Sequence, residues 1–313
     1  MPAIIAHHLF GEDVYASLAP VIGESDVQHD AFLLGNQGPD PLLCLKVLPL
    51  SVPYRTIGTI MHEQAPTALL AAMHQRFIYA PRSRSAPTCK AYALGFLCHY
   101  LLDSTAHPLI YAQQFAIRDG GVEGLPPMRK GGEIHALIET ELDEHLLAKK
   151  LGVTVKTFVP HREILGCAPD ALIALSTRFS PVSKSVYDVK LPQFAFASGV
   201  NMYRAAQTAL DSKRDGIRQY ADYARLAGKA YLHVQAMTHS ATLRTAPSFA
   251  NDDHVAWPHP FEPGKTVSAS FDELYDVAFN AALSAVPRFA QADFSLADCE
   301  ALTGNVNFKG AHV

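Results

Sequence analysis

His99 and Asp103 stand four residues apart in His99-Tyr-Leu-Leu-Asp103-Ser-Thr-Ala-His107-Pro108. On a helix that spacing puts both side chains on one face, with Cβ atoms about 6 Å apart, so both can reach one ion. His107 lies two turns beyond His99, roughly 12 Å along the axis, too far to share that ion. Asp103 sits between the two imidazoles, and a carboxylate so flanked suits a bridge between two metals about 3.5–4 Å apart. A second pair, His135 and Glu139, repeats the spacing in Gly132-Glu-Ile-His135-Ala-Leu-Ile-Glu139, on or beside the apolar stripe Ile134, Leu137, Ile138 and Leu142. A carboxylate carried into such a stripe is costly unless it is paired or metal-bound. The second pair alone equally fits an ordinary His–Glu contact; the two pairs together favour chelation. Paired divalent ions turn water into hydroxide near neutral pH and clamp the attacking and leaving oxygens of an in-line displacement.

Helices must hold these residues, and helical periodicity dominates the chain. The pattern predicts helices over 12–22, 28–35, 58–79, 89–107, 131–151, 168–178, 198–228, 271–287 and 295–302. The residue before a proline is pushed out of helical geometry, so Pro108 is expected to end its helix at His107. Val153–Val159 is the one tempting strand. Turn residues mark loops at 38–40, 81–87, 120–127 and 247–263, and the polar segment 206–229 is expected at the surface. No internal repeat is visible. The expected fold is all-α, a metal-binding catalytic region over 1–200 with a helical extension over 201–313 packed on it, most simply one continuous domain.

The 313 residues are 49% hydrophobic and carry a formal net charge of −4, with 15 histidines against 12 tyrosines. Imidazole is the commonest metal ligand. Cys44, Cys89, Cys98, Cys167 and Cys299 are scattered, odd in number and without CxxC spacing, so neither a disulfide framework nor a thiolate zinc site is expected. The N-terminus has neither a basic n-region nor a long apolar h-region, and no apolar run is long enough to span a bilayer. A cytoplasmic protein without a transmembrane segment is the expectation. The chain has no Lys/Arg block, so electrostatic docking on nucleic acid or an anionic bilayer gets no support from the sequence, and no stable nucleic-acid partner is expected.

Other positions join the two pairs. His7 opens Ala6-His7-His8-Leu9, Asp40 closes the turn Gly35-Asn-Gln-Gly-Pro-Asp40, and His62 lies in Ile60-Met-His62-Glu63. The candidate ligands are then His7, Asp40, His62, His99, Asp103, His107, His135 and Glu139, enough for two or three ions at three or four protein ligands each. His74 is read as a surface residue, as are His8, His29, His145 and His161; Asp143 and Glu144 are read as a solvated face. His233 and His239 are assigned to packing or surface. His254, Trp257, Pro258, His259 and Pro260 read first as a proline-rich loop pinned by one buried indole, and second as part of a substrate cleft.

The core Gly95-Phe-Leu-Cys-His99-Tyr-Leu-Leu-Asp103-Ser-Thr-Ala-His107-Pro108, followed by His135 and Glu139, resembles the zinc-dependent phospholipase C family from His7 to about Leu146. Single-strand-specific zinc nucleases share that family's fold and ligand order. The resemblance implies a multi-helix bundle around a multinuclear site holding two or three Zn²⁺. His62, His99, Asp103 and Asp40 would hold one zinc, and His107, His135 and Glu139 a second. His7 and the N-terminal amine, with Asp103 bridging, would hold a third. Asp40 is also implied as general base. The better-known phospholipases place the second histidine beyond the proline; here His107 precedes Pro108, and position 109 is leucine. The expected activity is phosphoric-ester hydrolysis of a phosphodiester, with a phospholipid as one candidate substrate. A single-strand nuclease, a soluble phosphodiester or phosphomonoester hydrolase, and a non-catalytic metal-binding helical protein are the alternatives.

Overall fold

A computed structural model describes residues 4–79, 83–120, 131–210, 237–239 and 249–313. The chain is mostly helical, and the described helices are α1 (Ile4–Ile22), α2 (Asp26–Gly35), α3 (Asp40–Leu43), α4 (Ile57–Glu63), α5 (Pro66–Met73), α6 (Ala86–Gly120), α7 (Gly131–Leu151), α8 (Pro160–Glu163), α9 (Pro169–Tyr187), α10 (Ala195–Ala209), α11 (Phe271–Phe289) and α12 (Leu296–Thr303). A two-residue antiparallel pair joins β1 (Trp257–Pro258), inside the segment expected to be loop, to β2 (Thr266–Val267), just beyond it. None of the described helices is long and apolar enough to cross a membrane. Two compact units are present. The His99 unit comprises His7–Thr105, Ile164–Arg204 and Tyr275–Val313; the His135 unit comprises Met1–Ala6, Ala106–Glu163 and Ala205–Leu274.

In the His99 unit every residue from 91 to 103 is buried, as expected of a helix apolar all round. Rings from four elements interleave there: Phe77 and Tyr92 stack at 5.6 Å, Phe179 and Phe196 at 4.3 Å, and Phe179 meets Tyr92 edge-on at 5.8 Å. Helix α2 crosses α6 backbone to backbone where Gly35 meets Gly95. A Cβ on Gly95 would lie 2.0 Å from the Phe32 carbonyl oxygen, and one on Gly35 2.1 Å from that of Tyr92. This close approach sets the end of α2, and hence the turn leading to Asp40.

In the His135 unit, α7 carries Asp143 into the interior. Its carboxylate accepts from Ile5 N at 3.2 Å and Ala6 N at 2.7 Å, and lies 2.9 Å from His239 Nε2. The first amides of a helix lack intrahelical acceptors, so Asp143 caps α1 from another element. It is therefore not part of a solvated face, and His239 is a packing residue. Trp257 is buried, its indole donating to Ala269 O, and Asn251 braces the same hairpin through Ser268 O and Ala269 O.

Several expectations are corrected. Helix α6 does not stop at His107 but runs through Pro108. A proline in a helix interior costs about 3 kcal/mol. Beyond it Leu109 and Ile110 are buried, each worth roughly 1.5–3 kcal/mol, which offsets that cost. The single helix expected over 58–79 is broken: Ala65 sits at φ 49° before Pro66, which begins α5. Val153–Val159 forms turns rather than a strand. His8 and His74 are buried, not at the surface; His74 packs between Phe289 and Phe294 and bonds the Gln291 carbonyl. Helix α9 runs past 178 to Tyr187. The helix expected over 198–228 is seen to Ala209; His233, the rest of that helix and the loop at 121–127 lie outside the described residues.

Gly95→Ala is expected to destabilise the fold by about 3 kcal/mol, the upper range for forcing a methyl group into a packed interior. Thermal melting followed by circular dichroism checks it; an unchanged Tm would show that α2 does not rest on α6 this closely.

Candidate metal centres

The His99 unit gathers five candidate ligands. His99 and Asp103 come from one face of α6, Asp40 from the first turn of α3, His62 from the last turn of α4 and His7 from the start of α1. His7 Nε2 lies 3.1 Å from Asp103 Oδ1, His99 Nε2 3.1 Å from Asp103 Oδ2, and His62 Nε2 3.1 Å from Asp40 Oδ1. Ligand atoms of His7, Asp40 and His99, and those of His62, His99 and Asp103, each fall within 4.8 Å of one another.

The other ring nitrogens explain why these pairs are unusual. His99 Nδ1 is 3.0 Å from the Asn36 carbonyl oxygen and His62 Nδ1 is 2.6 Å from that of Gly58. A carbonyl only accepts, so each Nδ1 carries the hydrogen. In a neutral imidazole Nε2 is then a lone pair, and it points at a carboxylate oxygen. Two lone pairs about 3 Å apart repel unless a proton or a cation lies between them. His99 Nε2 finds no hydrogen-bond partner among the described residues.

Protonation is favoured unevenly across the cluster. Burial, then the charge of His99, pushes the His7 pKa down, and the His7 and His99 rings stack with centroids 4.0 Å apart. Burial opposes protonation of His99 as well, but the charges of Asp103 and Asp40 more than reverse it. Burial also works against an ionised Asp40, yet His62 and His99 hold it down to about 2. The cluster is thus a buried pocket lined by carboxylate oxygens and imidazole nitrogens. A divalent ion with ligands at about 2.0–2.1 Å in tetrahedral array sets neighbouring ligand atoms roughly 3.3 Å apart, close to the spacings seen.

The His135 unit repeats the arrangement. His135 Nε2 and His107 Nε2 lie 3.2 and 3.4 Å from Glu139 Oε1, and the three residues form a group of the same compactness. His135 Nδ1 is 2.9 Å from Gln114 Oε1, a contact of the kind that leaves Nε2 free to ligate an ion. Burial and then Glu139 set the balance on His135, whose pKa is lowered overall. Glu139 is held well below the usual carboxylate range in spite of its burial, with His135 and His107 contributing. Tyr111 packs its ring 4.9 Å from that of His135.

All eight predicted ligands therefore fall in one or other of these two clusters. Sequence reasoning missed the residues that hold them. Asn36 and Gly58 act through carbonyls, and Gln114 lies twenty-one residues from its partner. Gly38 at φ +50° leaves room for the His99 ring, 2.3 Å from where its Cβ would stand. Phe308 meets His62 and His99 with centroids 5.4 and 5.8 Å away, and Asn307 Nδ2 donates to the Glu63 carbonyl beside His62. Only the turn around Gly38 carried a local signal. A further group, His145, Asp252 and Asp272, lies nearer the surface, and Asp272 is already paired with Lys149 Nζ at 2.6 Å. Comparison with family models, curated proteins and solved structures finds no match.

Titration of the metal-depleted chain with a divalent ion, followed calorimetrically, is expected to show separate classes of site. His99→Ala should remove binding in one unit and His135→Ala in the other. Identical isotherms for wild type and both variants would show that neither cluster chelates.

Proposed function

We propose that this chain is a metal-dependent phosphoric-ester hydrolase of the zinc-dependent phospholipase C type, acting on a phosphodiester through activated water. The observation that carries the reading is the pairing of Nδ1-anchored imidazoles with buried carboxylates in both units. Zinc is the ion that four nitrogen and oxygen ligands at these spacings suit best. His7, Asp40, His62, His99 and Asp103 would hold one ion or two, and His107, His135 and Glu139 another. Bound zinc would supply a hydroxide near neutral pH and charge to steady the phosphoryl oxygens.

The chain's own residues fit around that chemistry. One divalent ion beside Glu139 leaves a net charge of about +1, and two ions beside Asp40 and Asp103 leave about +2, counted from ligand types; both attract an anionic phosphate. Asp40 is held ionised, so one oxygen can ligate while the other accepts a proton from water, the task of a general base. Cysteine nucleophiles are disfavoured: burial pushes Cys44 and Cys299 up to about 12 and Cys167 up to about 11, and raises Cys89 and Cys98 as well.

One observation favours a second reading, ions that only hold helices together. His7, Asp40, His99, Asp103, His107 and Glu139 are all buried, and structural zinc sites are closed whereas catalytic ones keep an open position. His62 and His135 are the more accessible ligands.

The test is chelation and re-addition. Dialysis against a strong chelator is expected to abolish turnover of a chromogenic phosphodiester, and added Zn²⁺ to restore it. Short-chain phosphatidylcholine and single-stranded oligonucleotides compared at equal metal loading separate phospholipase from nuclease. A fully loaded chain without turnover on any ester, but with a Tm that falls on chelation, would establish the structural role instead.

A further inference from the structure

The segment joining α3 to α4 breaks the rule that consecutive apolar residues are covered. Val47-Leu48-Pro49-Leu50 lies at the protein surface, with Val47 77% and Leu50 85% exposed, and Pro49 and Pro53 are exposed beside them. Runs of exposed apolar residues are selected against unless they serve a function. The loop is also built to hold its shape. Arg55 reaches back with Nε to the Leu48 carbonyl at 3.1 Å and with Nη2 to the Lys46 carbonyl at 2.5 Å. Backbone turns close Leu48 N on Leu45 O and Val52 N on Pro49 O. The apolar tip is therefore presented by a braced turn, with its carbonyls engaged by a guanidinium.

The base of the loop is cationic. Lys46 is pushed below its ordinary value first by partial burial, with Lys309 and Arg55 close enough to add repulsion and Glu63 opposing. Glu63 itself is paired with Lys309 Nζ at 2.6 Å. Three cations and one carboxylate leave an excess of two positive charges behind the apolar tip.

We propose that the loop 46–53 is a docking element for an anionic lipid surface, its Val47 and Leu50 side chains entering the acyl boundary and Lys46 and Arg55 lying at headgroup level. Apolar side chains entering the interface together with basic residues that meet anionic headgroups is the combination that holds proteins on bilayers. A protein partner fits less well, because specific protein interfaces bury upward of about 1,000 Å², more than two exposed side chains and their prolines offer. The loop connects the helix that begins with Asp40 to the helix that carries His62, so docking would place a lipid surface beside the His99 unit. The docking does not depend on the hydrolase reading.

The experiment uses the full chain and extruded vesicles of equal parts phosphatidylcholine and phosphatidylglycerol, with pure phosphatidylcholine as comparison, with and without chelator. Flotation is expected to show binding to the anionic vesicles that weakens with salt, whether or not metal is bound. The Val47→Ser, Leu50→Ser double variant is expected to bind at least tenfold more weakly, with unchanged Tm, metal content and turnover of a soluble ester. Leu50→Trp adds an independent readout, an emission blue shift on adding vesicles, against the buried native Trp257. Wild type that fails to float, a double variant that floats as well as wild type, or no blue shift would overturn the proposal. So would a loss of self-association in the double variant without loss of vesicle binding, which would assign the tip to a second copy of the chain.

Discussion

The structure depends on one electrostatic constraint: carboxylate oxygens and imidazole nitrogens face one another in a buried interior. Asp103 meets His7 and His99, Asp40 meets His62, and Glu139 meets His107 and His135. Removing carboxylates from water costs several kcal/mol each unless charge of the opposite sign comes with them. The chain brings imidazoles to these carboxylates, and three of them, His62, His99 and His135, commit Nδ1 to a carbonyl oxygen of the backbone or of Gln114. A small cation shared by several ligands answers that arrangement better than protons placed one by one.

The scaffold serves the same constraint. The glycine crossing of α2 and α6 delivers the Asn36 carbonyl to His99, and Gly38 leaves space for the ring. The break at Ala65–Pro66 leaves His62 on a final helical turn, where its ring reaches Asp40. Phe308 packs on His62 and His99 from the C-terminal end of the chain, giving residues far along the sequence a part in holding imidazoles drawn from the first third. In the His135 unit Asp143 does comparable work, capping the start of α1 just before His7.

What could be read from the sequence is what is local and periodic. The His99/Asp103 and His135/Glu139 spacings are one helical turn, and the apolar runs around them are long, so the mostly helical character and the two His–carboxylate pairs were visible. What could not be read is set by distant partners. Phe308 and Gln114 have no local signal because their value lies in rings and nitrogens far along the chain. Pro108 carried a strong local signal that burial of Leu109 and Ile110 overrode. Asp143 looked solvated because Glu144 and His145 beside it are polar, yet its acceptors are consumed by the amides of α1. The apolar tip at Val47 and Leu50 was hidden for the opposite reason: its residues look like core, and only the structure shows them outside.

The most direct measurement is ¹⁵N nuclear magnetic resonance of the histidine rings, before and after adding a divalent ion to the metal-depleted chain. His62, His99 and His135 are expected to carry their hydrogen on Nδ1 in the loaded chain, with Nε2 resonances that move on metal addition. Rings protonated on Nε2, or imidazolium signals indifferent to the ion, would contradict this assignment.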